Sequence, residues 1–454
     1  MKKYLMIVLA LVVVLALVVG CAPKGDTDPT DPSQSGGTPA VTDPEGPPTG
    51  LAKAEITVQA EADWMAYYEA AAKRITDANE EVTIKLQEIG SFHHIDILDE
   101  TDASNKDVAD VFALPADRLT NLAGKDLLGA IDAQAIAARL GGWTDFDAGL
   151  GGLFKLDGEY LAFPFNIETL VVFANEKNAE TEGIDLSKPL ELETIENPAH
   201  ILLPVFDAWF GVALTNSADI ALLKEEGTGF VSDLPAEWGE TKPGKKAALT
   251  VLYEYWKLNY DKNTTLFDPD AGWGYIDDQF TSGNAGVLRI DGPWSTGSIK
   301  EKTNNGADLG VYSIGQITVA GQPLRHWQGG WGLAVNPRIE EDAAKLALAE
   351  AMIAEIVNPA YAVDLFNATG KVLENVPASV YEASDLDEID KKVITSMIDS
   401  FHVSPGRPLF QEFGPVWDTW ENAVLSWNSV VPASAEAAYG QLKASFDAMM
   451  ADLK

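Results

Sequence analysis

The stretch "DVFALPADRL" places Asp117 and Arg118 just beyond an apolar run, where a strand gives way to a turn. A carboxylate and a guanidinium offer planar, multi-site acceptors and donors, the geometry that a rim of hydroxyl groups requires. Taken alone, such a dipeptide is equally an ordinary solvated surface pair. Aromatic residues give it a context. The chain carries twelve tryptophans, and Trp64, Trp294, Trp327, Trp331 and Trp417 fall at loop-like positions, several beside Gly or Pro. An indole either fills a core or offers its face to the apolar C–H side of a pyranose, with its N–H free to bond at the edge. Aromatic plates edged by Asp, Glu and Arg would make a carbohydrate site.

Other chemistries lack their residues. No HExxH zinc helix, GxSxG nucleophile elbow or GxxxxGK[ST] phosphate loop occurs in the sequence. His93, His94, His200, His326 and His402 are scattered. The adjacent pair would point to opposite sides of a strand, or nearly a third of a turn apart on a helix, and so chelates poorly. No metal and no cofactor is expected. Paired carboxylates for glycoside hydrolysis stay open, because 69 Asp and Glu residues make pairing a matter of space rather than sequence. A formal net charge of -37 repels phosphate backbones and anionic lipid heads, which argues against nucleic acid as a partner. The acidity itself reads as solubility.

The elements that must position these residues begin with "AEITVQA" (Ala54–Ala60), a β-prone run. A helical spacing follows over Met65–Asn79, then an alternating strand at Val82–Leu86, then the apolar strand ending at Pro115. Strands separated by helices indicate an α/β architecture with parallel pairing. "GEYLAFPFNIETLVVFANEK" holds two β-prone runs joined through Pro164-Phe165-Asn166, either a hairpin in one sheet or a passage between two sheets. Residues 219–247 form a Gly/Pro/Lys/Glu-rich surface excursion. "AGVLRIDGPW" and "HWQGGWGLAVNP" each read as a buried strand with a turn. Glu340–Val357 is an amphipathic helix stopped at Asn358-Pro359, a second helix is capped by Gly370, and the C-terminal eighty residues are mostly helical. With 46% hydrophobic residues the chain can bury a large core, and its length predicts two to three domains.

The front end reads differently. Residues 1–20 combine Lys2 and Lys3 with an apolar run to Val19 and then Gly20, the pattern of a signal peptide, with a permanent helical anchor as the alternative. Cys21 is the only cysteine, so disulfides and thiolate metal sites are excluded. "VVGC" resembles the lipobox of bacterial lipoproteins, in which the thiol receives a diacylglycerol and the new N-terminus an acyl group such as palmitate. Residues 21–53 then form the lipidated cysteine and a disordered Pro/Gly-rich tether, with seven prolines and five glycines between Ala22 and Leu51. The protein is expected on the extracellular side of the cell membrane, held by its lipid.

The order of these pieces resembles the extracellular solute-binding proteins of ABC importers, above all the maltose/maltodextrin-binding branch. The likeness runs over nearly all of Ala54 to Lys454, apart from the 219–247 excursion. "DVFALPADRL" is similar to that family's strand-then-Asp-Arg segment, which implies that Asp117 and Arg118 bind sugar hydroxyls. "DGEYLAFPFNIETLVVFANE" looks like its Pro-anchored crossover, with the sugar-binding glutamate at Glu168. "IDGPW" resembles its "NGPW" turn, making Trp294 a stacking platform, and "GPVWDTWENAV" the segment with a second platform at Trp417. The first strand and turn place Asp63 at a hydroxyl-binding position. Trp64 and Trp327 complete the candidate ligand-binding set as indoles at loop positions. Leu114 and Ala116 depart from the family's aromatic and histidine, and Trp64 from its basic residue.

That resemblance implies an α/β, two-lobed periplasmic-binding-protein fold (type II), with the ligand cleft between lobes joined by several hinge segments. The N-terminal lobe would comprise residues 54–166 with 328–371, and the C-terminal lobe 171–326 with 377–454. The function implied is that of a monomeric receptor that captures a maltodextrin or other oligosaccharide and delivers it to the transmembrane subunits of an ABC permease. It would be no enzyme. A cell-surface glycosidase is the alternative, separated by whether sugars come back cleaved, and an adhesin is a third, separated by domain geometry that ignores ligand.

Overall fold

The computed structural model describes residues 46–453. The signal segment, the lipidation at Cys21 and the tether up to residue 45, all expectations from sequence, lie outside the described residues. Of the tether as drawn from sequence, only its last eight positions are described. Asn79 fastens that end by donating to the Pro48 carbonyl (2.8 Å) and accepting from the Leu51 N–H (2.9 Å).

A run of β-branched residues (Ile56-Thr57-Val58) forms β1 (Ala54–Ala60) and an apolar–polar alternation forms β2 (Val82–Glu88), and the two pair in parallel from Ala54↔Val82 to Ala60↔Glu88. The helix between them, α1 (Met65–Ala78), buries Tyr67, Tyr68, Ala71, Ala72 and Ile75. This is the spacing by which an amphipathic crossover covers one face of a parallel sheet. After α2 (Ser91–Glu100), the wholly buried β3 (Val111–Pro115) adds to the other side of β1. Two later strands complete this sheet: β4 (Phe163–Glu168) and, far along the chain, β9 (Gly329–Val335). β9 runs antiparallel between β3 and β4, giving the order β2-β1-β3-β9-β4. The sheet is therefore mixed rather than purely parallel.

β5 (Val171–Asn175) starts only two residues after β4 ends, yet it pairs with neither β4 nor β9. It lies between β7 (Leu288–Asp291) and β8 (Leu309–Tyr312), both antiparallel to it, and β6 (Ile201–Leu202) closes the second sheet in the order β8-β5-β7-β6. Of the two readings of the Pro164 region, passage between sheets is the one realised.

On the second sheet, α7 (Glu388–Val403) packs on β8 and β5, Tyr255 of α4 (Pro243–Asp261) donates to the Ile201 carbonyl of β6, and α3 (Ala208–Ser217), α8 (Gly414–Leu425) and α9 (Ala435–Asp452) pack on α4 and one another. α5 (Ala343–Ile356) and α6 (Ala362–Thr369) pack with α1 on the first. Asp342 caps α5 through the N–H groups of Ala344 and Lys345, and Gly370 ends α6 in the left-handed region at φ 67°, as its sequence position predicts. The 219–247 excursion is shorter than expected. It holds a hairpin (Lys224–Glu226 with Gly229–Val231), and Pro243 at the first helical position of α4 ends it. Gly211 in α3 is required by a close approach. A Cβ there would meet the indole nitrogen of buried Trp420 at 2.6 Å and the Val205 carbonyl oxygen at 2.7 Å.

The adjacent histidines separate on α2. His93 faces water, while His94 is buried and its Nε2 accepts the Ala109 N–H at 2.9 Å. Burial, reinforced by Arg338, lowers its pKa to about 4. A group whose folded pKa lies below its unfolded value near 6.5 stabilises the fold at higher pH, and that stability is lost as pH falls from about 6.5 towards 4. The expected cost at pH 5 is about 2 kcal/mol. Urea denaturation at pH 8 and pH 5 checks this, because His94→Gln should lower the difference between the two values; an unchanged difference would be against it.

Candidate functional site

The pairing registers bring one set of chain ends together. Parallel β1 and β3 end on the same side as β4, and antiparallel β9 begins there, with Trp331 opposite Pro115 and Gly329 opposite Glu168. The loops leaving this edge carry Glu61, Asp63 and Trp64 after β1, Asp117 and Arg118 after β3, and Thr169-Leu170 after β4. In open α/β sheets this carboxyl edge is where ligands bind. In the second sheet, Val171 opposes Asp291, so the Gly292-Pro293-Trp294 turn leaves beside the start of β5, two residues from Glu168. β6 ends on the same side as parallel β7, and α3 with Trp209 follows within a few residues.

Two aromatic groups form at this junction. Trp64, Phe165 and Trp331 make a three-walled box. The rings of Trp64 and Phe165 meet edge to face at 5.5 Å, and the Lys371 ammonium lies 4.5 Å from the Trp331 ring, 5.5 Å from Trp64 and 5.7 Å from Phe165. The Trp331 indole N–H donates to Glu168 Oε1 at 3.3 Å. Phe92, among the few large apolar side chains left exposed, sets its ring 5.1 Å from Trp331.

The second group is built on Trp209, Trp327 and Trp417, whose ring centroids lie 5.7–6.4 Å apart. The guanidinium of Arg407 sits over all three, 4.8 Å from Trp209 and 5.9 Å from each of the others. It also donates to Asp117 Oδ2 at 2.8 Å. Asp117 belongs to the first sheet and Arg407 to the segment after α7, so this ion pair spans 290 residues of sequence. Partly desolvated and stacked, a guanidinium gains about 0.5–2 kcal/mol from an indole face. The same segment is zipped to the start of β9: Gln328 N–H donates to the Pro405 carbonyl (2.7 Å) and Arg407 N–H to the Gln328 carbonyl (3.2 Å). Thr120 Oγ1 reaches the Leu409 carbonyl at 3.0 Å.

His326 braces Trp209. Its Nε2 lies 2.8 Å from the Trp209 carbonyl, which can only accept, so Nε2 carries the proton. Burial lowers its pKa to about 3, and the ring stays neutral. Behind Trp327 a cavity of about 250 Å³ opens between α3, Leu222, Pro405 and Phe413. The excursion hairpin closes over the neighbouring segment, with Phe230 against Phe410 at 5.0 Å.

The candidates named from sequence divide. Trp64 and Glu168 enter the first group, and Asp117, Trp327 and Trp417 the second. Arg118 turns aside towards Asp96 on α2, at 4.0 Å. Asp63 is exposed. Trp294 is 57% exposed, its ring folded over Gly292, where a Cβ would come within 2.1 Å of it. Its turn is fixed by Asp291, which accepts from Gly292 N–H and Ser295 Oγ and pairs with buried Arg289 at 2.7 Å. Trp209, Arg407 and Lys371 carried no sequence signal beyond their types. Among the described residues no group of three or more His, Cys, Asp and Glu could hold a metal ion.

Removing Asp291 leaves a desolvated guanidinium with only half-exposed Asp277 as partner. Asp291→Ala is expected to cost about 3 kcal/mol in urea denaturation, and a loss under 1 kcal/mol would contradict the packing described.

A family model described as bacterial extracellular solute-binding protein matches residues 60–363. No curated protein matches the chain in sequence. Among solved structures, the maltose-binding periplasmic protein MalE from Listeria monocytogenes, in complex with maltose, is similar at a TM-score of 0.68 and 20% identity. The match covers 88% of this chain and 99% of that one. MalX from Streptococcus pneumoniae in complex with maltopentaose gives 0.62 and 18%, over 87% and 99%. An extracellular solute-binding protein from Staphylococcus aureus in complex with maltose gives 0.63 and 17%, over 88% and 98%. At these identities the likeness establishes the two-lobed periplasmic-binding-protein fold.

Proposed function

Because the chain belongs to the bacterial extracellular solute-binding proteins, whose model spans well over half of it, we propose that it is the receptor of an ABC importer for an oligosaccharide. It captures its sugar outside the membrane and hands it unchanged to a permease. The observation that carries this reading is the meeting of indole plates with carboxylate and guanidinium groups where the edges of the two sheets adjoin. Trp327 and Trp417 supply apolar faces, Asp117 and Glu168 supply acceptors, and Arg407 supplies donors. That is the complement of a pyranose with one hydrophobic side and a polar rim. The complexes with maltose and maltopentaose point the choice of ligand towards maltodextrins.

In this reading the lobes are residues 54–166 with 328–371 and 171–326 with 377–454. The crossings lie near Asn166–Val171, Trp327–Gly329 and Lys371–Pro377. A ligand that touches both lobes favours the closed arrangement by its differential affinity for it. Asp63, Arg118 and Trp294 join the site as its rim. Cys21 carries the lipid that holds a monomeric receptor on the outer face of the membrane, within reach of the permease, and the chain performs no catalysis.

A thermal-shift screen of mono- and oligosaccharides tests the assignment, with chromatography of the recovered sugar. The expected result is a rise in Tm with at least one oligosaccharide and its return intact; cleaved product would move the protein to the glycosidases. Glu168→Ala and Trp294→Ala are expected to weaken binding at least tenfold in calorimetry with the apo Tm nearly unchanged, and full affinity in both would take those residues out of the site.

A further inference from the structure

Lys371 follows the glycine that ends α6 and opens a segment laid along β4, where the Ile167 N–H donates to the Val372 carbonyl at 3.0 Å. That pairing sets residue 371 beside Glu168. Its backbone N–H is bound to Thr369 Oγ1 at 3.1 Å. Its ammonium forms no hydrogen bond or ion pair among the described residues, although it sits against Trp331, Trp64 and Phe165 and remains partly exposed. Three indole and phenyl faces steady a cation by their quadrupoles, but they satisfy none of its N–H donors. Burial lowers the lysine's pKa, and the charges of Glu168 and Glu61 work against that fall. Both carboxylates are thus felt, yet neither is bonded to the ammonium. Glu61 is engaged elsewhere, accepting the Ser91 N–H at 3.2 Å, and Glu168 has one oxygen on the Trp331 indole. The second Glu168 oxygen and the lysine donors remain for a ligand.

We propose that Lys371 is a ligand-contacting, specificity-determining residue that, with Glu168, selects a neutral sugar unit presenting a free vicinal diol. The ammonium donates to one hydroxyl oxygen, and the Glu168 carboxylate accepts from the neighbouring hydroxyl. The rings of the box take the apolar face of the same unit. This assignment rests on the carbohydrate reading above and adds the class of sugar group recognised. Neutrality follows from charge. One ammonium already faces two carboxylates, so a uronate would bring a third negative charge into a partly desolvated box.

Calorimetry on the full chain with maltotriose, cellotriose and xylotriose, and with trigalacturonic acid as the anionic probe, tests this. Lys371→Met keeps the stem on the rings and removes the donors; Lys371→Leu, also without donors, is the second variant in case the first does not fold. Lys371→Arg restores charge and donors. Wild type is expected to bind a neutral trisaccharide and to reject trigalacturonic acid. Lys371→Met is expected to lose at least tenfold with the apo Tm held within a few degrees, and Lys371→Arg to recover most of that loss. A monodeoxy form of the bound trisaccharide, lacking the lysine-bound hydroxyl, should lose a similar factor against wild type and little more against Lys371→Met. Tight sugar binding that is unchanged in Lys371→Met, or in Lys371→Leu if the first is unfolded, overturns the proposal and leaves the receptor assignment standing. Lysine-dependent binding of trigalacturonic acid overturns the choice of a neutral diol. Failure of wild type to bind any of the sugars removes both.

Discussion

Two buried residues, Thr169 and Leu170, separate the last residue of a strand in one sheet from the first residue of a strand in the other. So short a passage leaves the sheets no freedom to lie far apart. It places the carboxyl edge of the first against the Asp291–Trp294 turn of the second. Trp64 and Asp117 leave the first edge and Trp294 the second, while Lys371 and Arg407 sit on segments laid against β4 and the start of β9. Both residues are fully excluded from water, and the Thr169 hydroxyl has no hydrogen-bond partner. A buried unsatisfied hydroxyl is costly, and here it lies at the point where the chain changes sheets.

Around that passage the charges are arranged in two different ways. Arg289 and Asp291 are buried together, and their pairing is structural: it fixes a turn. Arg407 and Lys371 are held mainly by aromatic faces. Arg407 has one carboxylate partner, and Lys371 has none among the described residues. Packing against indole lets a cation leave water at smaller cost than apolar surroundings would impose, and the rings satisfy none of its N–H donors. Lys371 accordingly has donors to spare for a ligand, and Arg407 can share Asp117 with one. The two arrangements differ in whether the hydrogen bonds of the buried charges are complete.

Much of this was legible in the sequence, for definite reasons. Periodicity and caps are local, so β1, α1, the strand ending at Pro115, and the helix capped by Asp342 could be placed from their own residues. Resemblance pointed to Glu168 and the Gly-Pro-Trp turn because both sit in short contiguous motifs. The ion pair of Asp117 with Arg407 could not be found this way. It joins residues 290 apart, and nothing around "SPGRPLF" marks the arginine as different from a surface one. Lys371 has the same difficulty, since its surroundings come from β4, β9 and the loop after β1. Trp331 had been noted for its loop-like setting, and it proved to be the middle of a buried strand. There Gly330, just before it, lets the Asn166 carbonyl and Leu150 approach closer than any Cβ allows. The excursion ran too far in the sequence reading because Lys245 and Lys246 look like loop, whereas Pro243 had already started a helix.

The hairpin at Lys224–Val231 sets Phe230 on Phe410, three residues from Arg407, and its Lys224 lines the cavity behind Trp327. It contributes no strand to either main sheet. Changes in its length would therefore be felt by the guanidinium and its indole bed while the scaffold stayed as it is. An appendage thus adjoins the arginine–tryptophan group without belonging to the frame, placed as a set screw is, to trim a mechanism without its frame being rebuilt.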